Sequence, residues 1–207
     1  MATEIVVISG GLGTPSTSRM LGEQLGQASV AALAADGVEA RVSIVELRDV
    51  AVDIATTMVA GYAPPRLAEI IGQVERADAL IAVSPVFTAS VSGLFKSFLD
   101  VLDPAALDGT PVVLAATGGS ARHSMVIDYV MRPIFSYLRA QPMPTAVFAA
   151  PEDWAGDTGG GQLADRAARA GAELARALSG VRASAQRPDP MESLPFEQLL
   201  ANVQAGA

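Results

Sequence analysis

The chain has 207 residues, half of them apolar, a net charge of −8 and no cysteine, which excludes disulfides, thiolate catalysis and Cys-ligated metals. The acidic balance disfavours a nucleic-acid partner, because phosphate backbones are held mainly by clustered Lys and Arg. The length suits one sizeable domain, and since no apolar run approaches the roughly 20 residues of a spanning helix and the first residues lack a secretory pattern, we expect a soluble, cytoplasmic protein without a membrane role.

Five short runs of apolar or β-branched residues predict five β-strands. The runs are nearly continuous rather than alternating, which is typical of strands that are buried on both faces. They occupy residues 5–9, 41–47, 79–85, 111–119 and 144–150.

Amphipathic periods lie between these strands, and Pro64-Pro65 marks the start of one helix. Strands that alternate with helices predict an α/β fold with a doubly wound, five-stranded parallel sheet of order 2-1-3-4-5 and helices on both faces. The apolar helix faces are Leu21, Leu25, Ala28 and Ala32; Leu67, Ile70, Ile71 and Val74; and Leu163, Ala167, Ala170, Leu174 and Leu178.

Three segments fit this scheme less simply. Pro133 predicts a kink in a helix over residues 124–140, and residues 49–62 suit a short helix or a mobile loop equally.

The third segment is the C-terminal one, where polar, proline-spaced sequence predicts that the domain ends near Val181. In the tail, residues 182–207, a short amphipathic helix would lie on its own domain or on a second subunit, and a disordered tail is the alternative; its apolar face is Phe196, Leu199, Leu200 and Val203.

Ligands of such sheets bind at the carboxyl ends of the strands, where the strand order reverses. The first strand ends at Ser9 and opens into a loop rich in glycine and hydroxyls. The third strand runs into Ser84 to Thr88, and the fourth into Thr117 to Ser120. We therefore expect these three loops to converge on one crevice.

The first loop, residues 9–19, has the features of a phosphate site. A loop that leads into a helix N-terminus offers unpaired backbone N–H groups and the positive end of the helix dipole. Ser16, Thr17 and Ser18 add hydroxyl donors, and Arg19 adds a positive charge. The alternative is plain helix capping, for which one such residue would suffice.

Two other phosphate motifs compete for the same loop. The nucleoside-triphosphate loop is excluded because it requires a lysine that is missing here. The dinucleotide pattern G-x-G-x-x-G is half met by Gly11 and Gly13, with Ser16 in place of the third glycine, and Glu46 imitates the acid that binds ribose. A small NAD(P)-binding domain therefore stays an alternative.

The other two loops suit a flat ring. The turn at Pro85 leaves backbone groups of Val86, Phe87 and Thr88 to face the crevice, although a capped turn would have the same sequence. In Thr117-Gly118-Gly119 the missing Cβ atoms let a planar ligand approach the backbone, and here too a plain turn is the alternative.

No catalytic residue or metal ligand emerges from the sequence. His123, the single histidine, is a possible acid or base, but a cap, an interface residue or a ring-edge donor suits its position better. The sequence lacks the G-x-S-x-G elbow of a serine hydrolase and any cluster of metal ligands.

Taken in order, these motifs resemble the NAD(P)H-dependent FMN reductases of the flavodoxin-like fold. The resemblance lies in the Ser-rich loop ending at Arg19, in S-P-x-x-x-x-S-x-S-G-x-x-K-x-x-x-D over residues 84–100 and in A-T-G-G over residues 116–119. It covers about residues 3 to 180, judged from the spacing of the elements. Residues 116–123 resemble most the branch whose members supply reduced flavin to two-component monooxygenases.

The resemblance implies an FMN reductase that uses NAD(P)H, acts as a homodimer or homotetramer and passes electrons to free flavin, a quinone or a partner monooxygenase. Many members have Tyr-Asn where this chain has Phe87-Thr88, and the first loop is longer than usual by about two residues. A flavodoxin-like electron carrier is the non-enzymatic alternative. The implied contacts are Ser9, Ser16, Thr17, Ser18 and Arg19 to the FMN phosphate, and Pro85, Val86, Phe87, Thr88, Thr117, Gly118 and Gly119 to the ring.

Overall fold

The computed structural model of the protein describes residues 2–180, with the side chains of residues 156–159 excepted. The predicted tail, residues 182–207, and its amphipathic helix lie outside the described residues. The strands are β1 (Thr3–Ser9), β2 (Ala40–Glu46), β3 (Ala79–Phe87), β4 (Ser90–Val91), β5 (Pro111–Thr117), β6 (Gln141–Pro142) and β7 (Val147–Ala149). The helices are α1 (Thr17–Ala35), α2 (Ala51–Ala60), α3 (Pro65–Glu75), α4 (Gly93–Asp100), α5 (Arg132–Tyr137) and α6 (Gly156–Leu178).

The main sheet is parallel and has the order β2-β1-β3-β5-β6, with β7 also paired to β5. This confirms the doubly wound topology, because β5 is the predicted fourth strand and β6 with β7 form the fifth. One element was not predicted: the two-residue β4 turns back antiparallel onto the end of β3.

The fifth strand differs from the prediction, which placed it continuously over residues 144–150. Its two pieces pair with opposite ends of β5, and residues 143–146 separate them. Pro144 has no N–H to donate. The N–H of Thr145 donates instead to the Glu173 carboxylate of α6 at 2.7 Å. A side chain from the helix layer thus replaces a strand partner at this point.

Alternate residues of each central strand face two different helix layers. Ile5 and Val7 of β1 pack with α1 and α6, whereas Val6 and Ile8 pack with α2 to α5. All four side chains are at most 2% exposed. The strands are therefore buried on both faces, as their continuous apolar runs predicted.

The two irregular regions each contain helical structure. Residues 47–50 form a 3₁₀ turn that leads into α2, so the weakly patterned segment is a short helix and not a loop. Before Pro133, residues 127–131 form a π-helical turn, and α5 begins at Arg132. The backbone therefore stays helical through Pro133 and changes from π to α geometry one residue before it, at Arg132. Among the described helices, none combines the length and the apolarity that crossing a bilayer demands.

Candidate functional site

The three predicted loops meet in one crevice at the carboxyl edge of the sheet. The cavity has a volume of about 530 Å³, within the roughly 300–1,000 Å³ of small-molecule sites. It lies between the start of α1 and the ends of β3, β5 and β7. Its lining residues are Thr17, Met20, Pro85, Val86, Phe87, Thr117, Gly118, Gly119, Ala149, Pro151 and Trp154.

The loop between β1 and α1 presents backbone donors without partners. Gly10 donates its N–H to Val83 on β3, and the N–H of Arg19 donates to Ser16 Oγ at 3.2 Å. Between these points, the N–H groups of Gly11, Gly13 and Thr17, like that of Ser18, donate to no other described residue. The loop and the first turn of α1 therefore offer several free donors and the positive end of the helix dipole.

The hydroxyls of this loop occupy four different environments. Ser16 is buried and caps α1, which is the capping role considered above. Ser18 is buried and shares a hydrogen bond of 2.8 Å with Thr117 Oγ1, which joins the first loop to the end of β5. Thr17 is exposed and lines the cavity. Ser9 Oγ is buried and has no hydrogen-bond partner among the described residues.

Arg19 extends away from the cavity lining toward the end of β2. Its Nε lies 2.8 Å from Glu23 Oε1, and one terminal nitrogen lies 2.5 Å from Glu46 Oε2. The hydrogen bonds that Arg19 donates to these carboxylates, that to Glu46 first, raise the pKa of Arg19 above its usual value. The charge predicted for the phosphate is thus already shared with two carboxylates.

Glu46 forms ion pairs with two arginines, Arg19 and Arg48. It is the acid that imitates the ribose-binding residue of dinucleotide domains. Its second oxygen, Oε1, lies 3.0 Å from Arg48, and its side chain is 9% exposed. Among the described residues Oε1 accepts no hydrogen bond, but burial and the two ion pairs leave this carboxylate little exposed to a ribose. This geometry counts against the NAD(P)-binding alternative.

Arg48 also reaches across to the first loop, and the sequence reasoning missed it. One terminal nitrogen donates to both the Gly13 carbonyl and Thr14 Oγ1. A basic residue directly after the end of β2 was the available signal, but its partner lies 35 positions earlier in the chain.

The second loop is a tight hairpin whose two turn residues have left-handed backbones. Thr88 has φ 49° and Ala89 has φ 61°, in a region that a β-branched residue rarely adopts. Thr88, predicted to contact the ring, lies in this turn and outside the cavity lining. Pro85, Val86 and Phe87 do line the cavity.

Two of the three serines of the second motif, Ser84 and Ser92, stabilise the backbone instead of facing the cavity. Both are fully buried. Ser84 Oγ accepts the N–H of Ser92 at 2.9 Å, and Ser92 caps α4 while its hydroxyl donates to the Gly10 carbonyl at 3.2 Å. These bonds fix the second loop against the first.

In the third loop, Gly118 lies too close to its neighbours for a side chain, and Gly119 does not. A Cβ at Gly118 would lie 2.8 Å from Phe148 Cζ, whereas one at Gly119 would meet nothing within 4 Å. His123 ends the one-turn helix that follows and is half-buried, outside the cavity lining.

A fourth wall was not predicted, because the end of the fifth strand lacks a distinctive sequence. It consists of Ala149, Pro151 and Trp154, the single tryptophan of the chain. Asp153 accepts the N–H of Ala150 at 2.8 Å and pairs with Arg166 of α6. This wall is therefore braced from the helix layer.

Comparison with known proteins gives matches over most of the chain. A family model described as NADPH-dependent FMN reductase matches residues 3–155. An FMN reductase (NADPH) from Pseudomonas aeruginosa is 38% identical over 152 residues, which cover 73% of this chain and 78% of the relative. The NADH-dependent FMN reductase SfnE from Pseudomonas putida is 35% identical over 151 residues, with coverage of 73% and 78%. A solved oxidoreductase structure from Corynebacterium diphtheriae superposes with a TM-score of 0.83 at 44% identity and covers 86% of this chain and 98% of that one.

Proposed function

The chain belongs to the NADPH-dependent FMN reductase family, and we propose that it binds FMN in the crevice and catalyses its reduction by NAD(P)H. Membership confirms the family resemblance drawn from the sequence. The observation that carries the proposal is the convergence of the three motif-bearing loops on one cavity of suitable size. When bound, FMN supplies the two-electron chemistry that accepts hydride from a reduced nicotinamide.

The phosphate end of FMN fits the first loop. The free N–H groups between Gly11 and Ser18 are donors for an anion, and Ser9 contributes a buried hydroxyl without a partner. A Cβ at Gly11 would lie 2.2 Å from Ser16 Oγ, so glycine lets the loop fold onto the start of α1. We assign the phosphate to these groups and to the Thr17 hydroxyl.

The ring end of FMN fits the opposite part of the cavity. Residues 85–87 and Trp154 provide apolar walls that exclude water, and the backbone at Gly118 and Gly119 lies open to a flat ligand. Because hydride transfer needs no proton transfer from the protein, we assign no catalytic acid or base. The chain contributes binding, orientation and the exclusion of water.

We further propose a cytoplasmic homodimer or homotetramer that delivers electrons to free flavin, a quinone or a partner monooxygenase. Exposed large apolar side chains in the segment that follows β5 support a subunit interface there. Met125, Tyr129 and Tyr137 are 55%, 72% and 78% exposed. Size-exclusion chromatography with light scattering would measure the oligomeric state, and a monomer would refute this part of the proposal.

The test is an anaerobic titration of the purified full chain with FMN, followed by NADPH or NADH, while the flavin absorbance is recorded. A reductase binds FMN and the absorbance bleaches with one of the nucleotides. Binding without bleaching would identify an electron carrier, and nucleotide binding without FMN binding would identify an NAD(P) domain.

A pair of matched variants tests the phosphate assignment in the same assay. Thr17→Val removes the hydroxyl that faces the cavity, while Thr56→Val makes the same change on an exposed position of α2. We expect weaker FMN binding only for Thr17→Val. Equal affinities would place the phosphate elsewhere.

A further inference from the structure

Arg48 links the end of β2 to the tip of the first loop. It lies in the 3₁₀ turn of residues 47–50, and its side chain is 23% exposed. One terminal nitrogen donates to the Gly13 carbonyl and to Thr14 Oγ1, and the other pairs with Glu46 at 3.0 Å. Both terminal nitrogens are therefore engaged with the protein.

These contacts fix the direction of the loop backbone. In a trans peptide the carbonyl and the following N–H point in opposite directions. Holding the Gly13 carbonyl on Arg48 therefore turns the N–H of Thr14 away from Arg48. Within residues 2–180, the Gly13 carbonyl and the Thr14 hydroxyl accept from no other group.

Glu46 keeps Arg48 in this position. Its carboxylate lies between Arg48 and Arg19, and the planar guanidinium of Arg48 presents separate nitrogens to the acid and to the loop. A fork of this kind holds two partners at fixed angles, which a lysine with one nitrogen does not.

We propose that Arg48 is a positioning residue for the FMN phosphate, because it holds residues 13–14 in the shape that presents the donors of the first loop. It acts through the loop and not by contact, since one terminal nitrogen donates to the loop and the other forms an ion pair with Glu46. This inference rests on the proposed FMN binding, and it adds a determinant of affinity that lies outside the cavity lining.

The test compares FMN with riboflavin, which has the same ring and no phosphate. Each flavin is titrated into the full-length chain, and the ratio of the riboflavin Kd to the FMN Kd measures what the phosphate contributes. In Arg48→Met we expect this ratio to fall by about tenfold or more. A loss of this size corresponds to the free energy of one hydrogen bond to a charged group. The riboflavin Kd itself should change little.

Two further sets of variants control the measurement. Arg41→Met removes an arginine from the opposite end of β2, where its side chain is 70% exposed, and should leave the ratio unchanged. If Arg48→Met fails to fold, Thr14→Val tests the same contact at an exposed residue, with Thr14→Ser as the variant that keeps the hydroxyl. Thr14→Val should lower the ratio and Thr14→Ser should not.

The outcomes separate this inference from the proposed function. Suppose that the native chain binds FMN and that Arg48→Met has the same ratio of riboflavin Kd to FMN Kd as the native chain. The positioning role of Arg48 is then refuted and FMN binding stands. If Arg48→Met does not fold, an unchanged ratio in Thr14→Val refutes it in the same way. Equal affinity of the native chain for FMN and riboflavin would also refute it. If the native chain binds neither flavin, the proposed function itself is wrong.

Discussion

The hydrogen bond between Ser18 and Thr117 joins the phosphate loop to the ring loop, and its removal should have a measurable cost. The two hydroxyls are 2.8 Å apart, and the residues are 1% and 4% exposed. Ser18→Ala would leave Thr117 Oγ1 buried without a partner, which costs about 1–3 kcal/mol. For a chain of this size, that corresponds to a decrease in Tm of roughly 2–12 °C.

A double-mutant cycle isolates the bond. Thr117→Val alone strands the Ser18 hydroxyl, whereas Ser18→Ala with Thr117→Val removes both polar groups and leaves neither unpaired. The double variant should therefore lose less stability than the two single losses added together, with a coupling of about 1 kcal/mol measured by urea unfolding. Single losses that add within about 0.5 kcal/mol would show that the hydroxyls do not interact, and the reasoning would fail.

Three other predictions concern the second loop, the third loop and Trp154. Ala89→Gly relieves a left-handed backbone and should raise Tm by a few degrees, about 0.5–1 kcal/mol net of the entropy of glycine, as seen by thermal unfolding. Gly118→Ala should lower Tm because the new Cβ would lie 2.8 Å from Phe148, whereas Gly119→Ala, with open space around it, should leave Tm unchanged; equal Tm values for the two variants would contradict this. Trp154→Ala should raise the Kd of FMN and of riboflavin alike, so an unchanged riboflavin Kd would remove Trp154 from the ring site.

The fold was predictable because its strands are apolar on both faces and its helices carry clear apolar stripes. Ile5 to Ile8 must be covered on two sides, and a doubly wound sheet with helices on both faces does this for its central strands. The break between β6 and β7 was not predictable in the same way. It depends on a bond from Thr145 to Glu173, which lies 28 residues later on another element.

The site was predictable in position but not in the role of each side chain. Successive residues of a helix point about 100° apart, so Thr17 and Ser18 at the start of α1 face different neighbours. The structure accordingly turns Thr17 to the cavity and Ser18 to Thr117. Arg48 and Trp154 escaped prediction because tertiary packing alone brings them to the site.

Glu46 shows why spacing alone does not identify a nucleotide site. An acid at the end of the second strand suits a ribose only if its oxygens are exposed to the ligand. In this chain that carboxylate is buried and forms ion pairs with Arg19 and Arg48. Arg48 in turn donates a hydrogen bond to the Gly13 carbonyl of the first loop. The same acid that imitates a dinucleotide site thus stabilises a loop suited to a terminal phosphate. In this chain the two ion pairs of Glu46 add to the missing third glycine as features that disfavour a dinucleotide site.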